Sequence, residues 1–307
     1  MKAIVIGSAA GGGFPQWNCN ARGSRLARAG DALERTQSSV AVSADGERWV
    51  LLNASPDLRQ QINLTPALHP RRELRHSPIE AVLLTNADVD HVAGLLSMRE
   101  STAFALYGSA RVLSVLQANS IFNVLSPELV PRREIRLGET MPLAGPDGDD
   151  LGLEIEAFAV PGKVALYLED PGAGNDFGTR EGDTVGVHVR QKGATQGLYY
   201  MPGCAELSPA LRERLAGAPV VMFDGTLWRD DEMIEAGVGV KTGRRMGHMS
   251  MSGEHGTIAA FRDLDVGRRI FVHINNTNPV LLDGSQERRE AEAAGWEIGY
   301  DGLEVTL

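Results

Sequence analysis

Four residues in the stretch Thr85-Asn86-Ala87-Asp88-Val89-Asp90-His91 carry side-chain oxygen or nitrogen suited to binding a cation or a polar substrate: Asn86, Asp88, Asp90 and His91. All four fall within six consecutive positions, and that density is the first chemical signal in the chain. Asp90 has a purely structural alternative, capping a helix that begins near His91 by accepting its free backbone N–H groups. The two cysteines, Cys19 and Cys204, form no CxxC pair, so any metal is expected on His, Asp or Asn rather than on thiolate.

The elements around this loop are those that would have to present it. Ala81 to Leu84 is a continuous apolar run that reads as a buried strand, and Val92 to Met98 after the loop has helical apolar spacing. The polar cluster is therefore expected at the C-terminal end of a strand. Lys2 to Ile6 reads as a short strand entering Gly7, Gly11, Gly12 and Gly13, either a tight turn or a place of close backbone approach. The spacing is not the GxGxxG of a dinucleotide loop, and Phe14-Pro15 follows at once. Val40 to Ser43 and Trp49 to Leu52, around Asp45-Gly46, predict a hairpin with a two-residue turn. Further strands are expected at Ala105 to Tyr107, Leu153 to Val160, Thr184 to Val189 and Leu198 to Met201, with helices at Arg111 to Asn119 and near Pro209 to Leu215. Pro171 to Asp183 reads as a mobile surface loop. Val220 to Phe223 ends at Asp224, and Ile270 to His273 is one more strand closing on a polar residue. No repeat or Pro-rich linker divides the sequence, so one domain over 1–307 is expected.

Composition narrows the partners. A formal net charge of -10 over 307 residues disfavours sequence-independent nucleic-acid binding, which draws on clustered Lys and Arg. The apolar run near the start is too short for a signal-peptide core or a membrane span, so a cytoplasmic protein without membrane insertion is expected.

The order Asn86-x-Asp88-x-Asp90-His91 resembles the His-x-His-x-Asp-His signature of the metallo-β-lactamase superfamily, with Asn86 and Asp88 where hydrolases of that superfamily carry histidines for a first zinc. The resemblance implies an α+β fold, the αβ/βα four-layer sandwich, with the site at one edge of the sheets. It also implies a histidine after the last core strand, which His273 supplies in Phe271-Val272-His273-Ile274-Asn275-Asn276. The superfamily's intervening His and bridging Asp are absent around Pro161-Gly162-Lys163 and Met201-Pro202-Gly203-Cys204. Asp90, His91 and His273 remain as principal metal ligands, with Asn86 and Asp88 as further candidates. One carboxylate and two imidazoles match the facial set of non-haem Fe(II) oxygenases, which leaves positions open for O₂ and substrate. A dinuclear hydrolase would need more ligands. Lys163 could put a positive charge where the lost ion stood, or be an exposed loop lysine. Asp224 and His248 occupy the places of a Glu and a His that assist proton transfer in phosphodiesterases of the superfamily, or form a structural pair.

The resemblance narrows further, through Gly11-Gly12-Gly13-Phe14-Pro15-Gln16-Trp17-Asn18-Cys19-Asn20, Leu52 to Arg59, Thr85 to His91 and His273 to Pro279, to the coenzyme PQQ (pyrroloquinoline quinone) biosynthesis protein B family. It implies Fe(II)- and O₂-dependent hydroxylation of the tyrosine in a Glu-Tyr unit derived from the precursor peptide. Other PQQ biosynthesis proteins are possible partners. The same residue set would also bind zinc, which ranks above iron in intrinsic affinity. Two rival readings are a soluble carrier involved in transport of PQQ or its precursor to the periplasm, and a phosphodiesterase-like or lactam hydrolase. Family members that bind a structural zinc carry cysteines just after Cys19, where this chain has Ala21 and Ser24, so Cys19 is expected to be a buried thiol. His69, His76, His188 and His255 read as structural or surface residues, and Trp17, Trp228 and Tyr107 as packing residues.

Overall fold

Apolar residues alternate or run continuously through fourteen short segments, and in the computed structural model, which describes residues 1–174 and 177–307, these pair into two seven-stranded sheets. The first sheet takes β1 (Lys2–Gly7), β2 (Ser39–Ser43), β3 (Trp49–Leu52), β4 (Ile79–Leu83), β5 (Ala105–Gly108) and β6 (Arg132–Glu134). The second takes β7 (Thr140–Ala144), β8 (Asp150–Ala159), β9 (Val185–Gln191), β10 (Leu198–Met201), β11 (Ala218–Asp224), β12 (Val266–Val272) and β13 (Trp296–Ile298). The last strand, β14 (Glu304–Thr306), returns to the first sheet and pairs antiparallel with β1. Antiparallel hairpins open each sheet, and parallel strands β3 to β6 and β10 to β13 complete it.

The inner faces meet in one apolar layer that includes Val5, Val50 and Leu83 from the first sheet and Ile155, Val187 and Ile270 from the second. The outer face of the first sheet packs Ile4, Leu51 and Val82 against Leu58, Val112 and Leu116 of the helices Leu58–Leu64 and Ala110–Ala118. The outer face of the second packs Val221, Phe223 and Phe271 against Leu211, Leu215 and Ala291 of the helices Pro209–Leu215 and Gln286–Ala293. The order is helix, sheet, sheet, helix, the αβ/βα sandwich expected from the motif.

Two local expectations need correction. The turn between β2 and β3 is longer than two residues, because the Asp45 carboxylate accepts the backbone N–H groups of Glu47 and Arg48 and folds a wider loop. The helical spacing after the motif resolves into one α-turn, Val89–Val92, followed by a 3₁₀ stretch, Ala93–Met98. Of the Pro171 to Asp183 excursion, 175 and 176 lie outside the described residues. Pro171 to Gly174 are exposed, in keeping with a surface loop, and the far end of the excursion is held by Ser109 Oγ donating to Gly182 O at 2.6 Å and by Arg111 paired with Asp183 at 2.9 Å. Trp228 and Tyr107 are buried, Trp17 is 86 % exposed, and Cys19 and Cys204 are free buried thiols. Among the described residues no helix is long and apolar enough to cross a membrane.

Candidate metal centre

The motif loop leaves β4 over a backbone that is unusually well anchored. Asn53 holds a left-handed backbone (φ 67°), and its side-chain amide exchanges bonds with Thr85, accepting the Thr85 N–H at 2.8 Å and donating to Thr85 Oγ1 at 2.9 Å. Ala54 N–H donates to His91 O at 2.7 Å and Gly94 N–H to Ala54 O at 2.9 Å, so the α-turn of the motif sits directly on the strand-end backbone. Only glycine fits at position 94, where a Cβ would stand 2.2 Å from Ser55 O. Gly11 of the glycine-rich loop lies against Asp90, where a Cβ would be 3.4 Å from the carboxyl carbon. The close approach expected of that loop is therefore to the motif itself.

His91 is 1 % exposed, and its Nδ1 lies 2.7 Å from Asn86 Oδ1. The same oxygen accepts the Asp88 N–H at 2.9 Å, which fixes the amide orientation. Nδ1 must therefore carry the proton, and Nε2, buried and with no hydrogen-bond partner, keeps its lone pair. Burial pushes the His91 imidazolium down to a pKa of about 4, so the ring is neutral at physiological pH. On the second sheet His273 follows β12 with a left-handed backbone (φ 56°), a conformation side-chain-bearing residues enter rarely. Its flanks are held, with Ile274 N–H donating to Ser8 O at 2.9 Å and Asn275 N–H to Thr226 O at 3.0 Å. Thr226 Oγ1 donates to Asp224 Oδ1 at 2.6 Å and so accepts from His273 Nδ1 at 2.8 Å. His273 Nε2 is the nitrogen turned toward the motif loop, where it is hydrogen-bonded to Asp90 Oδ2 at 3.1 Å.

Asp90, His91 and His273, 183 residues apart at their extremes, thus converge with their ligating atoms within 4.8 Å of one another. Asp90 Oδ2 lies 3.1 Å from His273 Nε2 and 3.9 Å from His91 Nε2, spacings compatible with three ligands each about 2.0–2.2 Å from a common cation. Burial opposes ionisation of Asp90, yet the neighbouring His91 and the bond from His273 hold its carboxyl well below the usual range. Burial likewise opposes the charged form of His273, but Asp90 raises its pKa above the ordinary value. The convergence point therefore attracts positive charge, whether a proton or a metal. Asp90 does not cap the helix as its alternative role required: Asp88 holds the N-cap position without a side-chain cap bond.

Asp224, His248 and His273 also come within 4.8 Å, but their near atoms are already committed to one another and to Thr226. Asp224, fully buried, accepts four hydrogen bonds, from Cys204 N–H (2.9 Å), His248 Nδ1 (2.7 Å), Thr226 N–H (3.0 Å) and Thr226 Oγ1 (2.6 Å). Burial opposes its charge, and the adjacent His248 brings its pKa below the ordinary value. Asp224 is an orienting group: it fixes His248 Nδ1–H and leaves Nε2 as the free nitrogen of a ring stacked 5.2 Å from His273.

Asn86 and Asp88 are placed otherwise than as simple ligands. The Asn86 oxygen is spent on His91 and Asp88 N–H, and Asp88 Oδ1 accepts the Leu166 N–H at 2.9 Å. Lys163 is not an exposed loop lysine. Its side chain is 16 % exposed and donates to Glu169 Oε1 at 2.7 Å. Gly203 stands 3.6 Å, by a built Cβ, from His248 Cε1, where the superfamily pattern expects a bridging Asp. A cavity of about 490 Å³ opens onto the triad, with Gln16, Lys163, Lys241, Met246 and His248 in its walls. Thr226 was not visible to sequence reasoning. Its only signal is the Asp-Gly-Thr order at a strand end, and its role exists only because β11 and β12 are adjacent.

The beta-lactamase superfamily domain matches residues 48–274. Coenzyme PQQ synthesis protein B of Rhodopseudomonas palustris (strain BisB5) is 56 % identical over the full length of both chains, and that of Methylobacterium nodulans is 55 % identical over the same extent. The crystal structure of Zn(2+)-bound PqqB from Methylobacterium extorquens superposes with a TM-score of 0.93 at 52 % identity, covering both chains entirely. With identity above half along its whole length and this architecture, the chain belongs to the coenzyme PQQ synthesis protein B family of the metallo-β-lactamase fold.

Proposed function

We propose that this chain acts in PQQ biosynthesis as a mononuclear Fe(II) oxygenase that hydroxylates the tyrosine ring of a Glu-Tyr unit derived from the precursor peptide. Its family membership supports the pathway, and one observation supports the chemistry: a single carboxylate and two imidazoles, both with Nδ1 anchored and Nε2 directed at the Asp90 carboxylate, meet beside an open cavity. Asp90, His91 and His273 would hold the metal, which when bound supplies O₂ activation. In the overall reaction a ring C–H becomes C–OH, the second oxygen atom leaves as water, and a small-molecule reductant provides two electrons.

The remaining residues orient and move protons. Asn86 and Thr226 set the tautomers of the two ligating imidazoles. Asp224 holds His248 so that its free Nε2 can accept the phenolic proton of a substrate in the cavity and return it. Lys163, fixed by Glu169, contributes positive charge to the same cavity. A dinuclear hydrolase finds less support: the Asn86 oxygen is engaged, and Gly162 and Gly203 bring no side chain.

The test is anaerobic reconstitution of the purified chain with Fe(II), then addition of O₂, ascorbate and the Glu-Tyr dipeptide, with product analysis by mass. Gain of one or more oxygen atoms on the tyrosine ring is expected. Binding of substrate without turnover would favour the carrier. Two tightly held ions with phosphodiester cleavage would favour the hydrolase.

A further inference from the structure

A compact cationic group stands at the wall of the metal-facing cavity. Lys163 Nζ lies 2.7 Å from Glu169 Oε1, Arg245 Nη2 lies 2.7 Å from Glu169 Oε2, and Lys241 Nζ lies 3.8 Å from Glu169 Oε2. Three cations thus share one carboxylate, and no other ion pair of theirs occurs among the described residues. The Glu169 side chain is 10 % exposed. Hydrogen bonds from Arg245 and Lys163 bring its pKa down to about 2, so it is always charged.

The three cations are not equivalent. Lys163 and Arg245 spend hydrogen bonds on Glu169, and the Arg245 guanidinium also stacks 3.4 Å from the centre of the Phe177 ring. At 3.8 Å Lys241 is attracted but beyond hydrogen-bond reach, so its ammonium keeps all three donors. Lys163 and Lys241 both line the cavity that holds Asp90, His91 and His273. Of the cavity's own carboxylates, Asp90 faces the two imidazoles and Asp88 attracts Lys163, whereas among the described residues neither is paired with Lys241.

The platform is rigid. Thr184 Oγ1 donates to Lys163 O at 3.0 Å, Val164 N–H donates to Thr179 Oγ1 at 3.0 Å, and Tyr167 Oη donates to Ala87 O at 2.8 Å, which pins 163–169 over the motif loop. Lys163, Glu169 and Arg245 are thus held in place, while Lys241, its side chain 34 % exposed, enters the cavity wall from a separate segment with its donors unspent and can attract an anion there.

We propose that Lys241, supported by the Lys163–Glu169–Arg245 cluster, binds a carboxylate of the substrate and so selects amino-acid-derived anions for the cavity. This rests on the reading of the cavity as the site of a peptide-derived substrate. Lys241 is a specificity residue and has no part in holding the metal.

The experiment measures binding separately from turnover. Calorimetry is run on the full chain, metal-free and Zn(II)-loaded, with Glu-Tyr, with Gln-Tyr, and with Glu-Tyr amide, which lacks the C-terminal carboxylate. Lys241→Met should weaken Glu-Tyr by about tenfold or more, the scale of one hydrogen bond to a charged group. For one of the two neutralised peptides the variant and the parent should then bind alike. Lys241→Arg should recover most of the affinity, and Zn(II) affinity and melting temperature should be unaltered. In the hydroxylation assay KM should rise by a much larger factor than kcat falls. Equal weakening of all three peptides, unaltered Glu-Tyr binding by Lys241→Met, or no Glu-Tyr binding by the parent would overturn the inference. Lys241-dependent binding without hydroxylation would sink the oxygenase reading and leave this one standing.

Discussion

Replacing Thr226 by valine removes one hydroxyl while keeping the shape of the side chain, and the hydroxyl's two hydrogen bonds set the size of the effect. That oxygen accepts from His273 Nδ1 at 2.8 Å and donates to Asp224 Oδ1 at 2.6 Å. In the variant the His273 Nδ1–H has lost its acceptor at a buried position, a cost of about 1–3 kcal/mol to the fold. The tautomer of His273 is no longer fixed, and a ring protonated on Nε2 cannot ligate. Loss of such an orienting partner lowers metal affinity by about 10–100-fold. His91 keeps its own anchor, Asn86, so the site should be weakened and not abolished. Anaerobic competition of Fe(II), or of Zn(II), against a chromophoric chelator measures the change, with Thr226→Ser as the control that retains the hydroxyl. Thr226→Val binding metal as tightly as the parent, or Thr226→Ser failing equally, would refute the assignment of Thr226 as the group that orients His273.

Four further outcomes are expected. His273→Ala should lose Fe(II) binding and hydroxylation together while keeping a native-like circular dichroism spectrum and a cooperative melt; an active, iron-loaded variant would rule out the triad. His248→Gln should retain the metal but lower kcat by about 10²-fold or more, the scale of a lost acid–base group, as read from iron content alongside turnover. Gly94→Ala should destabilise the fold by about 3 kcal/mol in urea unfolding, because its Cβ would sit 2.2 Å from Ser55 O and push the motif turn off the strand end. Glu232, buried, has its carboxyl pushed up from 4.5 to about 7 by desolvation, so its stabilising contribution is full below pH 4.5 and lost as pH rises through 7. The loss amounts to about 3 kcal/mol. Glu232→Gln should remove that slope, making the variant the more stable of the two at pH 8 and not at pH 4; identical pH profiles would contradict it.

The sandwich was legible because its strands are long apolar runs ending in polar residues: β4, β11 and β12 were all readable from their apolar runs. The three-residue strands β6, β13 and β14 were not, since so short a segment carries no periodicity and becomes a strand only by pairing with a longer neighbour. The motif turn was readable as helical but not as a single α-turn passing into 3₁₀, which results from the seat that Gly94 takes on Ser55. Within the site, side-chain type and spacing drew attention to Asn86, Asp88, Asp90 and His91, and the family resemblance added His273. They could not separate a residue that faces the convergence point from one that stands behind it. Asn86 and Thr226 act through hydrogen bonds to imidazole nitrogens, and those contacts exist only after the chain has folded. Lys241 was invisible for the same reason: its partner, Glu169, lies on a different loop.

Asp90 and His91 leave the first sheet and His273 leaves the second, and this fixes when during biogenesis the site can come into being. A nascent chain carries the first half long before the second has been synthesised, and a lone carboxylate next to a lone imidazole is a poor trap for a scarce cation. The three side chains come together only when the sheets dock, so a metal held by them would be acquired late, by the finished sandwich. Availability to the folded protein at that moment would then weigh, beside intrinsic affinity, in which cation is taken.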